Sequence, residues 1–494
     1  MKIQTTNILM TIVLLCFVPI LGMAEEVEID GIRYSLIKKI KEATVISKDD
    51  KYSGDIVIPP LVRYGDVDYS VITIGSYAFK NCDALKSIEI PNSIQKVEDR
   101  AFDGCSKLKK VNISDLTAWC NISFEGGYSN PLKYAHLLYL DNELITNLEV
   151  PDDVTSIGAN SFCNCTSITS VKIPNSVTTI GNYAFYECTN LITIEMGENV
   201  ESIGYGAFCN CANLETINIP FGVPEIIDYT FYGCTSLTSI NVPSSVKKIC
   251  WYAFANCKSL NSISIPNSVI GLEGHSFENC SSMNSINIPN SVLYIKDQAF
   301  YGCITLKDII IGSGLSSIGK SAFFNCSDLE SFTIHATFVP NTQSDAFNGS
   351  YIEYSKLIVP DESIEAYKAN EPWKNFGIIE GLSGYVYEKE KCATPTIHYA
   401  NGKITFECET EGVTYQSTIT NPDVSSYYGN DINLGGTYYV KVYATKEGYE
   451  DSDEATATIN LLEGAGSSII GDVDGDGLVN MMDVTEIINI ILGK

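Results

Sequence analysis

The chain has 494 residues, 45% of them hydrophobic, and carries 60 acidic against 32 basic side chains, a formal charge of −28. That length holds several domains and a sizeable core. The acidity disfavours nucleic acid and anionic membrane as partners.

Residues 1–24 read as an export signal. Lys2 supplies the positive charge, Ile8 to Leu21 the apolar stretch, and Gly22-Met23-Ala24 a small-residue cleavage site before Glu25. The run is short for a membrane span, and Pro19 and the acidic Glu25-Glu26 flank argue against one. Cys16 follows Leu14-Leu15 rather than a small residue, which weakens a lipid-anchored reading. No membrane insertion is expected after cleavage. The mature protein is expected to be secreted or held on a bacterial cell surface.

Residues 25–74 are predicted to form an N-terminal cap, with short strands near residues 29–37 and 55–58. Terminal repeats need such specialised ends. From residue 75 to 350 the chain then repeats. Phe162, Phe185, Phe208, Phe231, Phe254, Phe277, Phe300 and Phe323 follow one another at steps of 23 residues. Phe79 and Phe102, themselves 23 residues apart, precede the series, and Phe347 follows it. A fixed period of this length marks one small unit stacked many times, each burying its neighbour's apolar face.

One clear unit runs Cys165, Ile168, Val171, Ile173, Pro174, Ser176, Val177, Ile180, Gly181, Ala184, Phe185. Val171-Lys172-Ile173 alternates as a short strand does, and Pro174 stops it. Val177 and Ile180 form a second strand, and Ala184-Phe185 is predicted to sit on a helical turn. Between Phe102 and Phe162 the step is 60 residues. An insert at about 115–148, with Trp119-Cys120-Asn121, Tyr128, Tyr134 and Tyr139, is apolar enough to be built in as longer coils.

Ten cysteines, Cys82 to Cys326, each follow a repeat Phe by three residues. Stacked in one column they point the same way, whereas a disulfide needs converging Cβ vectors. They read as a buried thiol ladder, packed as small hydrophobes. Cys392 and Cys408 lie beyond the repeats, and sequence leaves open whether they bridge.

Residues 351–382 suit a C-terminal cap, with Ile364, Tyr367, Trp373, Phe376 and Ile378 at helical spacing. Residues 383–462 alternate apolar and polar, as in Tyr438-Tyr439-Val440-Lys441-Val442-Tyr443, and read as a small β-sandwich. Residues 463–470 are a Gly- and Ser-rich linker. The last segment, 471–494, carries a calcium-loop helix motif. Asp472, Asp474 and Asp476 offer carboxylates at alternate positions, Leu478 its carbonyl, Asn480 its side chain or a bridging water, and Asp483 closes the loop. Hard oxygen ligands at this spacing select Ca2+.

Two surfaces are candidates for binding. Two polar columns flank the first strand, one including Ser170, Thr193 and Thr216, the other Lys172, Glu195 and Asn218. Their composition is that of a solvated face. Tyr183, Tyr186, Tyr205, Tyr229, Tyr232, Trp251, Tyr252, His275 and Tyr301 lie beside the core Phe positions and are expected to be at least half exposed. They serve either coil-to-coil stacking or a ligand, since aromatics offer a large rigid contact area. Nothing points to an enzyme. The four histidines are scattered, and no nucleophile-elbow or phosphate-loop sequence occurs.

The repeat Ile-Pro-x-Ser-Val-x-x-Ile-Gly-x-x-Ala-Phe-x-x-Cys resembles the BspA-like leucine-rich repeat family over roughly residues 50–380. The resemblance implies an α/β repeat solenoid and an exported adhesin-like protein that binds a host or matrix protein or a glycan. Residues 392–460 look like the C-terminal sandwich module of chitobiase-type enzymes, through residues 437–449, without the catalytic domain. Residues 471–494 resemble one dockerin type I repeat, which implies calcium-dependent docking to a cohesin-like protein. On that reading the chain is an accessory subunit of a polysaccharide-degrading complex. Dockerins normally carry two such repeats, and Met481-Met482 stand where a Ser-Thr recognition pair is common. Those methionines are the docking candidates here.

Overall fold

The computed structural model describes residues 24–384 and, beyond them, residues 394–400, 403–408, 413–420, 436–446, 452 and 455–461. The export signal, the linker, Cys392 and the whole calcium motif with Asp472, Asp474, Asp476, Leu478, Asn480, Met481, Met482 and Asp483 lie outside the described residues. Contacts divide the chain into a unit ending at Leu382 and a second beginning at Ser383.

The first unit is a stack of parallel-stranded coils. Strand Ser170–Lys172 pairs in parallel with Thr193–Glu195, placing Ser170 beside Thr193, Val171 beside Ile194 and Lys172 beside Glu195. Register follows from burial: a slip of one residue would turn Val171 outward. The second strand of the same coil, Thr179–Ile180, pairs with Ser202–Ile203 one period later. Inside, the repeat phenylalanines form a stack. From Phe162 to Phe347 successive ring centroids lie 5.2 to 5.8 Å apart with planes within 10° of parallel. That spacing falls in the range of favourable aromatic pairs.

The third side of the coil differs from the helical turn expected around Ala184-Phe185. It is a run of turns. Ala184 donates to Gly181 O, Tyr186 to Tyr183 O and Cys188 to Phe185 O. Tyr183 and Glu187 both have φ of 56°. Left-handed residues at these two places break any right-handed helical run. The alternation also frees N–H groups for the next coil: Tyr183, Phe185 and Glu187 donate to the carbonyls of Tyr205, Ala207 and Cys209 at 2.8 to 2.9 Å. The corners therefore form a third inter-coil ladder, so the regular 23-residue coils are a β-solenoid whose third side is turns, with helices confined to the insert and the C-terminal cap.

The thiols complete this ladder. Cys188, Cys211, Cys234, Cys257 and Cys280 each place Sγ 3.1 to 3.2 Å from the carbonyl of the Phe 26 residues earlier. All ten repeat cysteines are buried and unbridged, as their shared repeat position leads one to expect. After Phe347 the position is taken by Ser350, whose hydroxyl donates to Phe323 O in the same way.

Departures from the period have local causes. Within the insert, helix Leu116–Cys120 is capped by Asp115, whose carboxylate accepts from Ala118 N. Strand Leu138–Leu140 pairs in parallel with Lys110–Ile113 and turns back on Glu143–Leu144 through Asp141 and Asn142, both at positive φ. In the second-strand column, Glu201 N donates to Thr178 O and Lys247 N to Pro224 O. Pro224 has no N–H for the carbonyl of Glu201, and the sheet breaks there.

At the C-terminal end, helix Ile364–Ala369 buries Tyr367, and Trp373 and Phe376 plug the last coil. Ile378 does not continue that helical spacing. It begins strand Ile378–Gly381, paired in parallel with Lys356–Val359, because Pro372 prevents the helix from running on. The second unit contains two antiparallel sheets: Thr396–Ala400 with Lys403–Glu407, and Thr414–Thr420 with Gly436–Thr445 and Ala455–Leu461. Among the described residues no helix is long and apolar enough to cross a membrane.

Candidate functional site

Successive corners of the solenoid bring most of the singled-out aromatics into one continuous ridge. Tyr183 meets Tyr186 at 5.6 Å and Tyr205 at 5.2 Å between centroids. Tyr205 meets Tyr229 at 5.3 Å, and Tyr229 meets Tyr232 and Tyr252 at 5.6 and 4.8 Å. Tyr252 stacks on His275 at 4.2 Å, and Trp251 closes the end 5.9 Å from His275. Tyr301 stands apart from this chain of contacts and stacks instead on Phe324 at 4.8 Å.

These rings are less exposed than their sequence positions suggest. Trp251 keeps 42% of its surface, and Tyr183, Tyr186, Tyr205, Tyr229, Tyr232, Tyr252, His275 and Tyr301 are only partly accessible. Mutual stacking covers them, notably between Tyr229, Tyr252 and His275, whose planes lie within 18° of parallel. Loss of water raises the phenol pKa of Tyr205 to about 12, with Tyr183 adding to the effect. Burial also pushes Tyr229 and Tyr252 upward.

The backbone under the ridge is unusual. Tyr183, Tyr229, Tyr252 and His275 occupy one repeat position and have φ of 56 to 60°. Equivalent corners carry Asn160, Gly206, Gln298 and Ser321. A bulky side chain in this region costs on the order of 1 kcal/mol. Asn or Gly would fit the same fold with less strain.

Several residues that hold the ridge are not evident from aromatic pattern alone. The Asp228 carboxylate accepts from Trp251 N at 2.9 Å, and Asn182 Oδ1 accepts from Tyr205 N at 2.9 Å. His275 Nδ1 lies 2.7 Å from Glu278 Oε2. Glycine makes room for the rings. A Cβ on Gly274 would lie 2.7 Å from the Trp251 ring, and one on Gly206 would lie 2.9 Å from Tyr183. The signal was present as an aromatic and a glycine one period apart.

The polar columns behave differently. Ser170 Oγ donates to Asn147 Oδ1 at 2.9 Å, and Ser331 Oγ to Asp308 Oδ1 at 2.7 Å. Here side chains bond along the stack, as expected of a solvated face. No group of three or more His, Cys, Asp or Glu with metal-binding geometry occurs among the described residues.

Fold and surface together define a parallel-stranded leucine-rich-repeat solenoid with a ribbed aromatic corner. The chain matches the BspA type leucine-rich repeat region over residues 64–130, 138–261 and 224–353, more than half its length. It belongs to that family. Repeats of this kind are usually non-catalytic binding scaffolds, and no catalytic domain is evident among the described residues.

Comparison with curated proteins found no match. Among solved structures, a leucine-rich repeat protein from Bacteroides ovatus is 24% identical, with 72% of this chain and 99% of that chain covered at a TM-score of 0.49. A leucine-rich cell surface protein from Faecalibacterium prausnitzii is 26% identical, with 72% and 95% covered at 0.44. The pneumococcal vaccine antigen PcpA is 18% identical, with 72% and 99% covered at 0.38.

Proposed function

We propose that this protein is an exported, non-catalytic binding protein of the adhesin type, secreted or held on a bacterial surface. Its solenoid captures a host or matrix protein or a glycan. The observation that carries this reading is the ridge from Tyr183 to His275. Aromatics occupy a left-handed position in four coils of the ridge, where Arg100, Asn160, Gln298 and Ser321 serve in other coils and Tyr77 in the first. Stacking recovers part of that cost. A rigid, partly accessible row of Tyr, Trp and His is also the composition of protein-binding surfaces. Glu187, Asp228 and Glu278 border it, which favours a neutral or basic partner surface.

The test places residues 25–494 on an array of extracellular-matrix proteins and glycans. A saturable partner is expected, with at least tenfold weaker binding after Tyr229→Ala combined with Trp251→Ala and an unchanged circular dichroism spectrum. Absence of any partner, or binding indifferent to those substitutions, would overturn the reading. From sequence alone, the loop from Asp472 to Asp483 is proposed to hold Ca2+, with Met481 and Met482 presenting a contact for a cohesin-like protein.

A further inference from the structure

A second aromatic feature lies far along the stack from the ridge. Tyr351 precedes and Tyr354 ends the one-turn 3-10 helix at Ile352–Tyr354, just beyond the last repeat phenylalanine. They are 56% and 85% exposed, more than any other tyrosine of the solenoid unit. Neither ring meets another ring within the described residues, in contrast to the ridge. With Ile378, itself 49% exposed, they line an open depression of about 610 Å³ whose polar rim is Asp328, Glu330 and Lys356.

The turn is held from beneath. Ile352 is buried, Tyr354 N donates to Tyr351 O at 2.9 Å, and Ser355 Oγ donates to Leu329 O at 2.6 Å. Gly377 N donates to Ile352 O at 3.0 Å, which ties the strand bearing Ile378 to the same turn. Tyr351 has φ of 50°, a strained conformation for a tyrosine. Strain of this kind persists where surrounding structure fixes it, and it clusters at ligand sites. The rim groups are oriented too: Glu330 pairs with Lys307 at 3.0 Å and Lys356 with Glu380 at 3.8 Å.

We propose that this depression is a carbohydrate subsite, separate from the ridge, that takes a neutral pyranose unit. The chemistry decides the class. A pyranose presents an apolar C–H face and a rim of hydroxyls. Uncovered phenol rings match the first, and carboxylates with an ammonium match the second, as acceptors and donor respectively. The mixed charge of the rim gives no preference for a strongly charged ligand.

The experiment titrates residues 25–494 with neutral oligosaccharides of glucose, mannose, galactose, xylose and N-acetylglucosamine, by calorimetry and by chemical-shift change. One of these is expected to bind. Tyr354→Ala should weaken that binding about tenfold or more, and Tyr354→Phe, which keeps the ring, should retain most of it. Tyr229→Ala with Trp251→Ala should leave it unchanged, which separates this site from the ridge. Tyr354 is exposed, so its variants should melt at the parent temperature. No binding by any of these sugars at millimolar concentration would overturn the proposal. So would affinity unchanged by Tyr354→Ala, or a depression that takes only peptides.

Discussion

Cys234 places its Sγ 3.2 Å from the carbonyl oxygen of Phe208, and so ties one coil to the coil before it through a buried S–H donor. The same oxygen already accepts from Cys211 N. The thiol thus serves both as core filler and as a rung of the corner ladder. Cys234→Ala should cost about 1–2 kcal/mol, from the lost bond and the small cavity. Cys234→Ser should cost less, because Ser350 already makes the equivalent bond to Phe323 O. Urea midpoints of the two variants check the order, and a serine variant weaker than the alanine one would refute it.

The thiols also set an alkaline limit. Burial raises Cys105 and Cys303 from the ordinary 9.0 to about 12, and Cys165 to about 11. Cys188, Cys211, Cys234, Cys280 and Cys326 shift in the same direction for the same reason. A raised folded pKa favours the folded state fully below the unfolded value. Above it the unfolded chain loses protons that the folded chain keeps, so stability falls. Stability should therefore show no thiol-linked change below pH 8, then decline from pH 9 towards 12. Each thiol contributes up to about 1.4 kcal/mol per pH unit. Melting temperature against pH reads this directly. The same burial should leave the repeat cysteines unreactive to iodoacetamide at pH 8 until the protein is unfolded.

Glycine beneath an aromatic ring supplies a third test. Gly274→Ala would put a Cβ 2.7 Å from Trp251 and should destabilise by about 1–3 kcal/mol. Adding Trp251→Ala should recover much of that loss, because the clash is between those two residues. A double-mutant cycle on melting midpoints decides it. Simple additivity would mean that the glycine is required for some other reason.

Calcium binding is the fourth expectation. The full mature chain should bind Ca2+ by calorimetry, and Asp476→Asn should weaken it at least tenfold by removing one of the alternate carboxylates. Indifference to Asp476→Asn would move any bound calcium elsewhere.

The 23-residue period made the architecture legible because every coil solves the same problem. Val171, Ile180 and Phe185 must turn inward, and their spacing shows where. The column of cysteines was legible for the same reason, since identical repeat positions stack. The corner reads as helical in sequence because Ala184-Phe185 is compatible with a helix locally. What overrides it is φ at Tyr183 and Glu187 and the N–H bonds to the next coil, neither of which local composition reveals. The repeat position marks the candidate aromatics but not their degree of exposure, because one ring is covered by the ring of another coil. Tyr351 and Tyr354 follow the last repeat and obey no period, so no sequence pattern marks them.

The sequence by itself therefore determined the repeat, its inward residues and its family, because burial at a fixed period leaves a readable pattern. Only the tertiary structure decided which rings share contacts, which faces remain open, and that the thiols donate to carbonyls 26 residues away. Those outcomes depend on neighbouring coils meeting in space, and a one-dimensional pattern specifies that coils stack without specifying how their side chains meet.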